Sequence, residues 1–336
     1  MEPSAIDMTI GALQRFLDAV EPERGATVTA VVPLSGGYSR DTAIADVIWS
    51  DGASERFVLR ADPPAGTGVF LSDRDPEWRL LRVLQNTGPV RIPKSRWYDA
   101  EGQYFGTKCI VSSFYESRAL QEIARDPGAL AAARDTFVDV MVDIHRTPVD
   151  DLPADVARPA NWDEYIDSLV DMLDHFSRSG ADSRPALRYT AARLRSYRPQ
   201  PVPLTLVHGD CQPSNVLIGA DGPVVIDWEF GRIGDPREDI GYYSDYPVDP
   251  NLYATDPKAF LERYRERTGM TEEQLNPEIV EYFHVLGLAR LFGQEMAGAD
   301  AVANGEFRGI MASYLISAVS NTSEVYFNIA RRVGTR

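Results

Sequence analysis

The feature that most limits the fold is a change of hydrophobic period about a third of the way along the chain. A first amphipathic helix is expected with Ile10, Leu13, Phe16, Leu17 and Val20 on one face. The runs ATVTAVVPL, TAIADVIWS and ERFVLRADP follow, rich in Val, Ile, Thr and aromatic residues, and they alternate as strands do. Gly and Asp at SGGYS and SDGAS punctuate them, as tight antiparallel connections require. Asp75-Pro76 opens a helix carrying Leu80, Leu81 and Leu84, which Gly88 ends, and SRWYD and KCIVSSFY supply two more strands. The segment reads β-β-β-α-β-β. From about residue 117 the apolar spacing becomes helical in ALAAARDTFVDVMVDIHRT, NWDEYIDSLVDMLDHFSR, RPALRYTAARLRSYR and EIVEYFHVLGLARLFGQEM. One non-helical island, LTLVHGDCQPSNVLIGADGPVVIDWEFG, interrupts these helices. A small sheet lobe followed by a larger helical lobe is the expected α+β architecture.

At 336 residues the chain is long enough for about two domains. The formal net charge of −16 should repel a phosphate backbone, so nucleic acid is excluded as a partner class. Cys109 and Cys211 offer no disulfide framework and read as reduced thiols of a cytoplasmic protein. No run approaches the roughly 18 apolar residues of a membrane helix, and no signal peptide is visible, so no membrane partner is expected.

The island carries the chemistry. His208-Gly209-Asp210 is followed by Asn215, and a hairpin through Ala220-Asp221-Gly222 then delivers Asp227. Turns use the same residue types. The ordered set, however, places a carboxylate, a side-chain amide and a second carboxylate on adjacent loops. Mg²⁺ prefers such hard oxygen ligands beside substrate phosphates. Asn215 and Asp227 are candidate metal ligands, which leaves Asp210 to accept a proton from an attacking hydroxyl.

HGDCQPSNVL followed by VVIDWEFGRIGDPREDIGYY resembles the aminoglycoside phosphotransferase (choline kinase-like) family, which has the protein-kinase-like fold. The likeness extends over about residues 28–330 and is specific near 206–243. It implies a two-lobed fold, with an antiparallel-sheet lobe at 1–112, a hinge at 113–118 and a helical lobe at 119–336. It implies Asp210 as catalytic base, Asn215 and Asp227 as metal ligands, and His208 as the brace of the catalytic loop. Asp239, with Asp235, is implied as loop support.

Within the first lobe the family implies a phosphate-covering loop at Ser35, Gly36, Gly37, Tyr38 and Ser39, although the full G-x-G-x-x-G spacing is missing. Arg60 falls where the family holds the α/β-phosphates with a lysine, and Glu77 where its ion-pair partner stands. Arginine is a larger, forked donor, so the exchange is not neutral. It is shared with a subgroup related to kinases fused to acyl-CoA dehydrogenases. Ser113, Phe114 and Tyr115 are implied against the adenine ring.

Other residues point less sharply. His145 is expected to be structural, and His175 and His284 have no partner in zinc-ligand spacing. Tyr242, Tyr243, Asp245, Tyr246 and Glu295 are candidates for an acceptor pocket. The implied activity is transfer of the γ-phosphate of ATP or GTP to a small-molecule hydroxyl with Mg²⁺, by a monomer or homodimer. The acceptor is left open among an aminoglycoside (with possible antibiotic resistance), a macrolide or other natural product, and a hydroxyacyl-CoA. A nucleotide-binding pseudokinase and a metal-dependent hydrolase are the rivals of other classes.

Overall fold

The computed structural model describes residues 7–34, 41–62, 74–178, 184–303 and 305. Their order is α1 (Ile10–Val20), β1 (Ala26–Leu34), β2 (Asp41–Trp49), β3 (Ser54–Ala61), α2 (Arg74–Leu84), β4 (Ser95–Asp99) and β5 (Cys109–Ser113). Then come β6 (Ser117–Ala119), α3 (Leu120–Ala124), α4 (Leu130–His145), α5 (Trp162–Arg178), α6 (Pro185–Ser196) and β7 (Thr205–Val207). A 3-10 turn at Pro213–Asn215 leads to β8 (Val216–Gly219), β9 (Gly222–Val225), β10 (Arg232–Gly234), α7 (Arg237–Ser244), α8 (Leu252–Thr255), α9 (Pro257–Thr268) and α10 (Pro277–Ala303). None of the described helices is long and apolar enough to cross a membrane.

The chain forms two compact units, one of residues up to Asn86 with Arg91–Glu116, the other of Thr87–Val90 with Ser117 onward. The first unit is a five-stranded antiparallel sheet ordered β1-β2-β3-β5-β4. Alternation along β2 and β3 sends Ala43, Ala45, Val47, Trp49, Phe57, Leu59 and Ala61 to one face, as a period of two dictates. There they meet Leu13, Phe16 and Leu17 of α1 in one core. Thr9 caps α1 by accepting a hydrogen bond from the Ala12 amide at 3.2 Å. The expected apolar face of α1 is too wide: Ile10 and Val20 are exposed, and Ala12 is buried in their place.

In the second unit, α5, α6 and α10 share a core around Ile166, Leu173, Leu187, Leu194, Phe283, Leu286 and Ala289. Two small sheets frame the island, β6-β8-β9 and β7-β10. The sequence pattern anticipates the hairpin of β8 and β9 through Ala220-Asp221-Gly222, although β9 stops at Val225, two residues before Asp227. It omits β6, β7 and β10, three-residue strands too short to show a period. These short strands set the loop positions: β7 runs into His208, and Arg232 of β10 pairs with Val207.

Candidate active site

In the second unit the loop after β7 needs glycine at position 209. Gly209 has φ +82°, and a Cβ there would stand 2.7 Å from the Phe230 carbonyl oxygen and against the Arg232 guanidinium. This tight backbone points two successive amides at one carboxylate. The His208 and Gly209 N–H groups donate to Asp239 Oδ2 and Oδ1, both at 2.8 Å. Asp239 is fully buried. Burial pushes its carboxyl up, but the His145 hydrogen bond and the two nearby imidazoles outweigh that and hold it below the ordinary carboxylate range. His145 donates to Asp239 through Nε2 at 3.0 Å and faces the Tyr264 hydroxyl through Nδ1 at 2.7 Å. Held from both ring nitrogens, His145 fixes the buried base of the loop.

His208 bridges two loops. Its Nε2 donates to the Ile226 carbonyl at 2.9 Å, and its Nδ1 accepts the Asp210 amide at 3.3 Å. The Ile226 amide in turn donates to the Asn215 carbonyl at 2.9 Å. Both backbone groups of Ile226 are thus committed to the 208–215 loop, which fixes the residue that follows. That residue, Asp227, is the single non-glycine position with positive φ (69°) among the described residues. Left-handed backbone at a non-glycine residue costs about 1–3 kcal/mol, and the two Ile226 hydrogen bonds help hold it there.

The Asp210 carboxylate accepts from Gln212 Nε2 at 3.1 and 3.2 Å and from Asn215 Nδ2 at 3.1 Å. Asn215 Nδ2 also reaches the Asp210 carbonyl at 2.9 Å. With its nitrogen spent on Asp210, Asn215 has its amide oxygen as the atom that could ligate a metal. An amide oxygen and the Asp227 carboxylate form a hard donor set that fits Mg²⁺. Burial pushes the Asp210 carboxyl above the usual carboxylate range and Asp227 adds to this, against His208 and hydrogen bonds from Tyr242 and Gln212. Burial and the Asp210 charge push the Tyr242 phenol up, so it stays protonated and donates to Asp210. Tyr242 therefore stands against the Asp210 carboxylate.

Asp235 is a support. It forks onto Arg237 (Nε at 2.9 Å, Nη2 at 2.6 Å) and accepts from Trp162 Nε1 at 2.6 Å, with Asp235 and Arg237 both fully buried. His284 meets the Gly241 carbonyl through Nδ1 at 3.1 Å. Tyr243 is buried and its hydroxyl accepts the Leu252 amide at 2.8 Å, which makes it structural.

In the first unit Arg60, on β3, lies 3.6 Å from Glu77 on α2. That separation pairs charges but is too long for a hydrogen bond. The other carboxylate oxygen of Glu77 accepts from Arg74 Nη1 at 2.9 Å, and Arg74 Nε donates to Asp62 at 3.0 Å. Arg74 is fully buried and lies outside the residues that the sequence pattern singles out. Its signal was an arginine in the first turn of a helix, where the macrodipole disfavours a cation, three residues before a glutamate.

Ser113 ends β5, and the N–H groups of Ser113 and Phe114 donate to the Lys94 and Arg56 carbonyls at 2.8 and 2.9 Å. The Arg56 guanidinium lies 4.1 Å over the Phe114 ring. Those two amides are committed within their own unit. Ser35, Gly36, Gly37, Tyr38 and Ser39 lie outside the described residues.

The model of the phosphotransferase enzyme family matches residues 30–275. The chain belongs to that family. Acyl-CoA dehydrogenase family member 11 of Homo sapiens is 22% identical to this phosphotransferase over 267 residues, 77% of this chain and 33% of that protein. The chain spans between 18% and 33% of the length of the curated relatives it matches. A candidate aminoglycoside phosphotransferase of Ralstonia eutropha JMP134 has the same fold, with TM-score 0.69, 19% identity and coverage of 96% of this chain and 98% of that one. So does a thermostable mutant of aminoglycoside phosphotransferase APH(4)-Ia solved with ADP and hygromycin B, with TM-score 0.65, 14% identity and coverage of 97% and 99%. The protein-kinase-like fold expected from the island is the fold of this phosphotransferase.

Proposed function

We propose that this phosphotransferase moves the γ-phosphate of ATP or GTP to a hydroxyl of a small molecule. The observation that carries the reading is the geometry around Asp210. Its carboxylate is held by Gln212 and Asn215, on a loop tied to Asp227 through both backbone groups of Ile226. Asp210 orients the acceptor hydroxyl and takes its proton. The hydroxyl oxygen then bonds to the γ-phosphorus as the bond to the β-phosphate bridging oxygen breaks, and the nucleoside diphosphate leaves.

Asn215 and Asp227 are the residues that would hold Mg²⁺, which neutralises phosphate charge as the loose transition state forms. The left-handed backbone of Asp227 serves to aim its carboxylate. Arg60, charge-paired with Glu77, is assigned to the α/β-phosphates, the segment Ser113–Tyr115 to the adenine ring, and residues 35–39 to the phosphate-covering loop. His208 and Asp239 fix the catalytic loop. Little covalent help is needed, so positioning and charge account for most of the acceleration.

Transfer of labelled γ-phosphate by wild type and Asp210→Asn tests the reading. A positioned base contributes about 10²–10⁴-fold, so the variant is expected to lose about 10³-fold in kcat while its nucleotide affinity stays within about threefold. Normal turnover by Asp210→Asn would remove Asp210 from the role of base.

A further inference from the structure

The Arg60–Glu77 pair of the first unit is backed by a charged residue that phosphate transfer itself does not use. Arg74 opens α2, three residues before Glu77 and on the same helix face. Its Nη1 donates to Glu77 Oε2 at 2.9 Å, and its Nε donates to Asp62 Oδ1 at 3.0 Å. Asp62 follows β3, where its amide donates to the Lys108 carbonyl at 2.9 Å and continues the β3–β5 ladder. Arg74 therefore ties the helix that carries Glu77 to the strand that carries Arg60. Its neighbour Asp75 adds a second tie, accepting from Lys108 Nζ at 2.8 Å and from the Tyr98 hydroxyl of β4.

The three charges are graded from core to surface. The side chains of Arg74 and Glu77 are 0% and 2% exposed, and that of Arg60 is 21% exposed. Arg74 lies beyond the reach of a ligand, and Arg60 is the arginine with access. The setting is dry: burial pushes the Cys109 thiol up to about 12, although the Arg74 charge opposes it. A carboxylate as deep as Glu77 needs both a cation and a hydrogen bond, because an unpaired buried charge is expensive.

Two guanidinium groups divide that task unequally. Arg74 supplies the hydrogen bond, on Oε2. Arg60 lies 3.6 Å from Oε1, which pairs the charges without a hydrogen bond. The division matters because position 60 holds arginine. A guanidinium closes on a carboxylate through parallel N–H donors, a geometry that a lysine ammonium lacks. Without Arg74, Glu77 would draw in the prongs of Arg60, and those prongs are the donors that phosphate oxygens use.

We propose that Arg74 is a positioning residue for nucleotide binding: by hydrogen-bonding Glu77, it lets Glu77 aim Arg60 at the nucleotide phosphates without capturing it. This rests on the assignment of Arg60 to the phosphates in the phosphotransferase reading above, and it adds the residue that stands behind that contact.

Binding of MgADP and of adenosine is measured by calorimetry in wild type, Arg60→Ala, Arg74→Gln, Arg74→Lys and the Arg60→Ala/Arg74→Gln double variant. Arg60→Ala and Arg74→Gln are each expected to weaken MgADP about tenfold, the worth of one charge-assisted hydrogen bond. Adenosine, which lacks phosphates, is expected to stay within about twofold in every variant. The double variant is expected to lose no more than Arg60→Ala alone, because Arg74 acts through Arg60, whereas independent effects would multiply to about a hundredfold. Arg74→Lys keeps the charge and a donor for Glu77, and it is expected to recover part of the loss.

A residue that only holds the fold together would weaken adenosine and MgADP alike, or leave both unchanged while lowering thermal stability. Either result overturns the proposal and leaves phosphotransfer standing. So does a hundredfold loss in the double variant, or a loss in Arg74→Gln that Arg74→Lys does not reduce. Should Arg74→Gln not fold, Asp62→Asn loosens Arg74 from β3 without touching Glu77. It is then expected to cost about threefold in MgADP affinity, and nothing further when combined with Arg60→Ala; an equal cost in both backgrounds overturns the proposal. No MgADP binding by wild type would instead fail the transferase reading, and the role of Arg74 with it.

Discussion

Each unit of the molecule holds a buried glutamate between two arginines, and the two trios are built differently. In the first unit Glu77 gives one carboxylate oxygen to Arg74 and the other to Arg60. In the second, both Arg232 and Arg290 fall on Oε2 of Glu238, leaving Oε1 and two guanidinium Nε atoms without partners among the described residues. The first trio shares its carboxylate fully, with Arg74 anchored further by Asp62 and only its Nη2 left over. The second crowds both guanidinium groups onto one carboxylate oxygen and leaves three buried polar atoms without partners among the described residues. Matched pairing fixes a side chain in place, whereas unpartnered polar atoms retained at depth lower what a network contributes to stability.

The sharpest way to break this contrast is to remove a member of the closed trio. Arg74→Met is expected to cost about 3 kcal/mol of unfolding free energy, the range for breaking a buried ion pair, measured by urea unfolding. A loss below about 1 kcal/mol would mean that Arg74 does not fix Glu77.

A smaller effect is expected from Glu238→Gln, and it depends on pH. Glu238 has a folded pKa of about 7, above the ordinary glutamate value of 4.5. Between those values the folded chain holds a proton that the unfolded chain has lost. The contribution of Glu238 to stability is therefore full below about 4.5 and falls as pH rises towards 7. Glu238→Gln should flatten that part of the stability profile by about 1–3 kcal/mol; an unchanged slope would contradict the desolvated setting of the carboxylate.

The smallest change belongs to Arg290→Gln, expected within about 1 kcal/mol of wild type in urea, because Glu238 keeps its hydrogen bond from Arg232. A loss equal to that of Arg74→Met would erase the distinction between the two trios.

Much of this was legible in the chain. Alternating apolar residues in the first third announce the five-stranded sheet, and HGD with Asn215 and Asp227 announces the loops. Family membership follows the same residues. Other features were hidden for physical reasons. Strands of three residues have no measurable period, so the sheets that frame the 208–215 loop leave no signal in the sequence. Tyr242 reaches Asp210 through helix packing, and Arg290 reaches Glu238 across 52 residues. Neither contact has a local signature. Ile10 and Val20 of α1 stay exposed, because helical spacing gives the stripe but not the width that the sheet covers.

The central claim, that Asn215 and Asp227 hold a metal against nucleotide phosphates beside Asp210, is tested most directly by one titration. Thermal stability is followed with ATP, GTP and ADP, each with and without Mg²⁺, in wild type, Asp210→Asn and Asp227→Ala. A ligand that binds only the folded state at a hundredfold excess over its Kd stabilises by about 2.7 kcal/mol. The account predicts a Mg²⁺-dependent shift in wild type and in Asp210→Asn, and none in Asp227→Ala. Absence of a nucleotide shift in wild type, or a Mg²⁺-dependent shift that survives in Asp227→Ala, would contradict it.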